Sequence, residues 1–167
     1  PSRGLGDVYK RQVVDAGNSA GRIIFIDNQN YNNGIQLNQI NGPESDLPVT
    51  FIFSALKPVV LTGTITGNVR MFFAGDFQFG MGTETVAYNG LTMFMSNGDM
   101  KICSSIWSYK NNPGGGFLSS DKDITIVESA SFQGQIQCRG NFKTSGLIQF
   151  NDSVLKAPGF TVPKGMK

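Results

Sequence analysis

The stretch "SASFQGQIQCRGNFKTSGLIQF", residues 129–150, carries a glycine at every sixth position: Gly134, Gly140 and Gly146. Ala130, Ile136, Phe142 and Ile148 keep the same step, and Phe132, Cys138 and Phe150 sit two residues on. The beat extends outward in both directions. From Ile23 to Phe79, sixteen of the twenty residues at the beat positions and two residues after them are apolar, where the 40% hydrophobic composition predicts about eight. A one-residue slip falls between Gly80 and Ala87. The beat then resumes at Tyr88 and runs to Phe160, broken only at Asn112 among thirteen positions.

Strand alternation has a period of two, so one long strand such as 59–73 would fit a beat of six without further explanation. Alternation alone does not keep phase across glycines and turns for some seventy residues. A β-solenoid does. Each hexad is then a short strand whose first and third residues point inward, with a glycine-containing bend after it. Three hexads make a coil of about 18 residues, stacked on the next at roughly 4.8 Å. No coil buries its inner face alone, so stability comes from its neighbours. Ladders expected on this spacing are Ile106, Ile124, Phe142 and Phe160, and Met100, Leu118, Ile136 and Val154. Ile65, Phe73, Ile124, Ile136, Phe142 and Ile148 are expected to face inward. In the same register Cys138 points inward and Cys103 outward, so the two cannot form a disulfide without backbone movement.

The competing architecture is an antiparallel sandwich or barrel. Asn89-Gly90, Asn97-Gly98 and Gly75-Asp76 separate alternating apolar runs at two-residue hairpin spacing. Loops are expected at "DNQNYNN" (27–33), "NGPESDLP" (41–48) and "KNNPGGG" (110–116).

The chain has 167 residues, enough for one domain with a sizeable core, and high glycine (21) and phenylalanine (13) with 16% charge favours a β-rich protein. Residues 7–12, "DVYKRQ", resemble a translated sequencing adapter. On that resemblance residues 1–12 are not native, 13–167 form a single β domain, and the natural N-terminus is missing. Without Arg3, Asp7, Lys10 and Arg11 the chain has 11 basic and 11 acidic residues, so the formal +2 falls to zero. A nucleic-acid partner is therefore not expected. No apolar run is long enough for a membrane-spanning helix.

Histidine is absent, so neither a Ser-His-Asp nor a Cys-His nucleophile can be assembled. Two cysteines without histidine do not make a metal site, and no cofactor is expected. Asp121 and Asp123 could share one face, as glycoside hydrolysis requires of paired carboxylates. Their setting, "SSDKD" before a strand, reads as a solvated turn. "NQNYNNG" (28–34) lacks the carboxylates of a calcium loop. Thr62, Thr64 and Thr66 in "LTGTITG" share an outward face. They do not repeat eighteen residues later, where Gly80 and Gly82 stand, as a threonine ladder would need. The chain is thus expected to be non-catalytic. Leu91, Met93, Met95, Trp107 and Tyr109 are expected to form an outward apolar and aromatic patch, with Leu91 over Tyr109, and such patches mark interfaces. Leu91, Met93, Trp107 and Tyr109 are the candidate binding residues.

"LTGTITGNV" (61–69) and "FQGQIQCRGNF" (132–142) resemble the repeats of bactofilins, polymer-forming cytoskeletal proteins with a solenoid core. The asparagine- and phenylalanine-rich texture is similar to that of phage tail-fibre, spike and surface-adhesin solenoids. The resemblance spans about residues 22–163. It implies a structural or adhesive module of a phage or bacterial surface appendage, at the virion or cell surface. The alternatives are a self-polymerising bactofilin-like scaffold in the cytoplasm, or a non-catalytic fragment of a carbohydrate-active enzyme. Homo-oligomers, end-to-end stacking, and a surface glycan or protein as partner follow from these readings.

Overall fold

The computed structural model describes residues 12–30, 34–81, 91–106, 115–128 and 130–151. All fourteen regular elements in them are strands, and every pairing between strands is parallel. The odd strands are β1 (Gln12–Asp15), β3 (Ile35–Asn41), β5 (Val59–Thr66), β7 (Phe77–Phe79), β9 (Met100–Ile102), β11 (Ile124–Ile126) and β13 (Phe142–Thr144). They stack in chain order as sheet I. The even strands are β2 (Ile23–Ile26), β4 (Val49–Phe53), β6 (Val69–Phe73), β8 (Leu91–Ser96), β10 (Gly115–Ser120), β12 (Ser131–Cys138) and β14 (Leu147–Phe150), which stack as sheet II. The chain is an all-β solenoid. Each coil contributes one strand to each of the two sheets.

Coil length explains why the beat survives. Paired residues in adjacent coils stand 18 apart at Val59/Phe77, Gly116/Gly134 and Ile124/Phe142, and 24 apart at Ile35/Val59, Leu91/Gly115 and Met100/Ile124. Both steps are multiples of six, whereas the steps of 20 at Val49/Val69 and 16 at Ser131/Leu147 keep the inward alternation but not the beat. The step is 23 at Val69/Thr92 and Phe77/Met100, and both of these intervals span the phase slip. Near the N-terminus the beat breaks: Ile24 pairs with Phe51 and Ile26 with Phe53, a step of 27. Ile24 and Ile26 therefore take the inward positions, and Ile23 and Phe25, on the beat, point outward with 60% and 72% exposure.

The expected ladders hold where the coil is 18 residues long and shift where it is 24. Ile124 lies on Phe142 and Leu118 on Ile136 as anticipated. Above Ile124 stands Met100, not Ile106, because six more residues fit in that coil; Ile106 instead bridges to Phe132. For the same reason Leu91 registers with Gly115 rather than Tyr109. Ile65, Phe73 and Ile124 are buried, while Ile136 and Ile148 are half-buried against the core. Phe142 continues the inward column of Ile124 but is 39% exposed in the last described strand of sheet I. Phe160 and Val154 lie outside the described residues.

The interior is a stack of large apolar side chains from both walls. Phe73 stacks on Phe53 at 5.2 Å in the next coil and on Phe77 at 4.0 Å across the corner of its own coil. Phe94 packs on Phe77 and Phe79 at 4.7 and 5.3 Å. Such pairs add about 0.5–1.5 kcal/mol each beyond the roughly 1.5–3 kcal/mol from burying each side chain.

Hairpin chemistry at Gly75-Asp76 and Asn97-Gly98 is used for corners instead. Residues 74–76 join β6 to β7, and 97–99 join β8 to β9, so each short turn carries the chain from sheet II to sheet I. Asn89-Gly90 lies outside the described residues. The run 59–73 is not one strand. It turns at Gly67, whose φ of 74° and contact with the Gly42 carbonyl both exclude a side chain. In the opening stretch Gly140 and Gly146 do lie at bends, but neither has a positive φ. Backbone of the preceding coil fills the space a Cβ would need: Lys122 at Gly140, Val127 and Ala130 at Gly146. Gly116, expected in a loop, is an inward strand residue that leaves room for the Phe132 ring.

Two substitutions test this interior. Phe94→Ala should lower unfolding free energy by about 3–5 kcal/mol, because Phe94 is fully buried among three other rings. Thr92 is 1% exposed, its inward hydroxyl has no hydrogen-bond partner, and Val69 and Gly116 flank it in register. Thr92→Val should therefore raise stability by about 1 kcal/mol. Denaturant unfolding of the three proteins checks both, and a destabilised Thr92→Val variant would contradict the packing.

Candidate functional site

The two walls present different outer surfaces. On sheet I the outward positions between the inward columns are Gln36, Val60, Gln78, Lys101, Thr125 and Lys143, in register through six coils. That wall is polar and carries two lysines. On sheet II one outward column reads Phe25, Ile52, Phe72, Met95, Ser119 and Gln137. The parallel column beside it reads Ile23, Thr50, Arg70, Met93, Phe117 and Gln135. Strand alternation between fixed inward residues leaves these side chains nowhere else to point.

Ile52, Phe72 and Met95 floor a groove of about 340 Å³ on this wall. Ser54, Asn97 and Asp121 border it at the side where the chain turns toward sheet I, and Ser119 continues the column beyond Met95. Phe72 is 36% exposed, and Ile23 and Phe25 extend the apolar surface to the N-terminal end. In the second column Arg70 stands in register between Thr50 and Met93. Its Nε is buried without a hydrogen-bond partner, and burial pushes the guanidinium pKa down.

Of the four residues the sequence singles out for binding, Met93 lies on this wall. It alternates with the inward Thr92 and Phe94, yet is only 5% exposed, so it underlies the surface rather than forming it. Leu91 opens β8. Trp107 and Tyr109 lie outside the described residues. Sequence reasoning passed over Phe25, Ile52 and Phe72. Phe25 sits on the beat and needed the true register to be seen as outward, whereas Phe72 and Ile52 alternate with inward residues and were legible once outward columns were sought.

The remaining chemistry-bearing groups have structural partners. Asp76, Asp99 and Asp123 occupy equivalent corner positions in successive coils. Each Oδ1 accepts a backbone N–H from the corner above: Asp99 N at 2.9 Å, Asp123 N at 3.2 Å and Asn141 N at 2.7 Å. Asp121 pairs with Arg139 at 3.3 Å, both well exposed. The two carboxylates of "SSDKD" thus hold a solvated corner. Ser96 and Ser120 close the same corners from inside, donating to the carbonyls of Gly75 and Gly98 at 2.7 Å. Asn28 does a similar task in the first corner: its Oδ1 accepts the Ala55 N–H at 2.7 Å, and its Nδ2 donates to the Ala55 and Lys57 carbonyls. Thr62 is buried and donates to the Leu37 carbonyl.

Both cysteines are free. Cys138 packs half-buried against the core as its register predicts. Cys103 follows the inward Ile102 and stands apart from the core cluster, but it is buried at 5% rather than solvent-facing. Burial pushes its thiol pKa up, with Lys101 opposing, which makes it a weak nucleophile. Among the described residues no group of three or more metal-ligating side chains is found. Among the same residues no helix is long and apolar enough to cross a membrane.

The corner ladder gives a pH signature. The Asn141 backbone N–H holds the Asp123 carboxyl below its ordinary value of 3.8, with smaller help from the Asn141 side chain and Lys143 against partial desolvation. A lowered folded-state pKa contributes stability that is present above the unfolded pKa and lost as pH falls through the folded one. Asp123→Asn keeps an acceptor oxygen and removes the charge. Its stability deficit relative to wild type should be constant from neutral pH to about 5 and shrink below about 4. A deficit unchanged at pH 3 would contradict this assignment.

No protein-family model matches the chain, and neither the curated proteins nor the solved structures compared with it give a match.

Proposed function

We propose that the protein is a rigid structural module that works by adhesion, through the outer wall of sheet II, as part of a phage or bacterial surface appendage. The observation that carries this reading is the contrast between the walls. Sheet I turns Gln36, Val60, Gln78, Lys101, Thr125 and Lys143 outward, one apolar residue among five polar ones, whereas sheet II aligns Phe25, Ile52, Phe72 and Met95 across four successive coils. A contiguous exposed apolar strip rimmed by polar groups favours association. Backbone hydrogen bonding between coils keeps such a wall flat and preorganised, so little ordering entropy opposes binding. Ser54, Asn97, Ser119 and Asp121 supply directional hydrogen bonds beside the apolar floor, a combination that suits a surface glycan or an extended protein segment.

Binding of fluorescently labelled protein to isolated bacterial envelopes and to immobilised glycans tests the reading. Phe72→Ser combined with Met95→Ser should reduce retention at least tenfold, whereas Lys101→Ser on the opposite wall should leave it unchanged. Equal loss from both walls, or none from the sheet II pair, would refute it.

A further inference from the structure

Arg70 is the only charged side chain in the two outward columns of sheet II, where it stands between Thr50 and Met93 with Phe72 next on the same face. Neither column holds a carboxylate. The side chain is half-buried in the wall, and its Nε is sealed without a partner, whereas its Nη groups are not sealed. No hydrogen bond or ion pair of the described residues involves this guanidinium. A guanidinium keeps its proton in proteins, so the wall holds one permanent positive charge that the fold leaves uncompensated. Apolar neighbours screen it less than water would, which strengthens its attraction for an anion brought from outside.

The surroundings of Arg70 select among anions. Arg70, Phe72 and Ala74 follow one outer line along β6 and one residue beyond it, a span of about 13 Å. Phe72 offers an apolar platform beside the cation, and the groove at Ala74 adds Ser54 and Asn97 as hydrogen-bonding groups. A sugar ring divides its surface in the same way, with an apolar C–H face and hydroxyl edges. An extended peptide matches less well. The backbone groups of β4, β6 and β8 are spent on neighbouring coils, so a peptide lying on the wall finds no partners for its own. Nucleic acid requires a row of cations where the two columns supply one. A second copy of this wall brings another arginine and no carboxylate.

We propose that the outer wall of sheet II takes an acidic saccharide, with the Nη groups of Arg70 holding a carboxylate of the sugar chain and Phe72 carrying the ring beside it. The planar guanidinium end meets both carboxylate oxygens at once, which fixes the direction of the chain across the wall as well as its charge. This rests on the adhesive reading given above, and adds to it the class of ligand and the residue that selects it.

Retention of the labelled full chain on immobilised polygalacturonate and hyaluronan tests it, each polymer being compared with a form whose carboxyl groups are reduced to alcohols. Wild type should be held at least tenfold better by the carboxylated forms. Arg70→Gln should lose that preference, and Arg70→Lys, which keeps the charge without the planar fork, should retain part of it. Because Arg70 gives up no partner, Arg70→Gln should unfold at the wild-type denaturant concentration or above it, so the loss is measured on folded protein. Equal retention on the two forms, retention on neither, or an Arg70→Gln variant with the wild-type preference would overturn the proposal. On bacterial envelopes the Phe72→Ser, Met95→Ser pair reports on the wall by itself. Loss of retention from that pair, with none from Arg70→Gln, would overturn this inference and leave the adhesive reading standing.

Discussion

Everything in this fold depends on parallel, in-register hydrogen bonding between coils. Once β5 is paired with β7 and β6 with β8, each inward side chain must sit on its counterpart one coil away. The interior becomes a set of columns such as Phe51, Met71, Phe94, Leu118 and Ile136. A column of large apolar residues excludes water from the backbone ladder beside it, and the ladder in turn holds the column in line. Neither is stable alone. The corners obey the same rule in polar form, with Asp76, Asp99 and Asp123 each accepting from the corner above.

The constraint also shapes the outside. With inward positions assigned, the alternate residues of the strands line up on the outer side in columns at the coil spacing, whatever their chemistry. An apolar residue at an outward position is therefore repeated beside similar ones at the coil spacing, as Ile52, Phe72 and Met95 are. This converts isolated surface residues, ordinarily unremarkable, into a strip. The buried Nε of Arg70 shows how closely such a wall packs, since that N–H loses water contact without gaining a partner.

Solenoid class and much of the inward register were legible in the sequence, since a beat of six outlasts coils of 18 or 24 residues and the 23-residue step appears as the observed slip. The beat does not distinguish those lengths. Met100 and Ile106 are equally good candidates to cover Ile124, and only pairing decides for Met100. The gathering of the strands into two sheets was equally hidden, because the beat does not say where one strand ends and the next begins. Gly75-Asp76 and Asn97-Gly98 have the turn chemistry of hairpins; the next coil's backbone makes them corners.

The sequence by itself determined an all-β chain, described inward residues such as Ile65, Phe73, Phe94 and Leu118, the absence of histidine, and the solvated-turn setting of Asp121 and Asp123. These follow from local periodicity and residue type. Tertiary structure decided which surface is apolar. Ile23 and Phe25 sit on the beat yet face solvent, because the 27-residue step to β4 places Ile24 and Ile26 over Phe51 and Phe53 instead. Side-chain direction in a strand is set by the partner it registers with, and a register is a property of two coils, not of one segment.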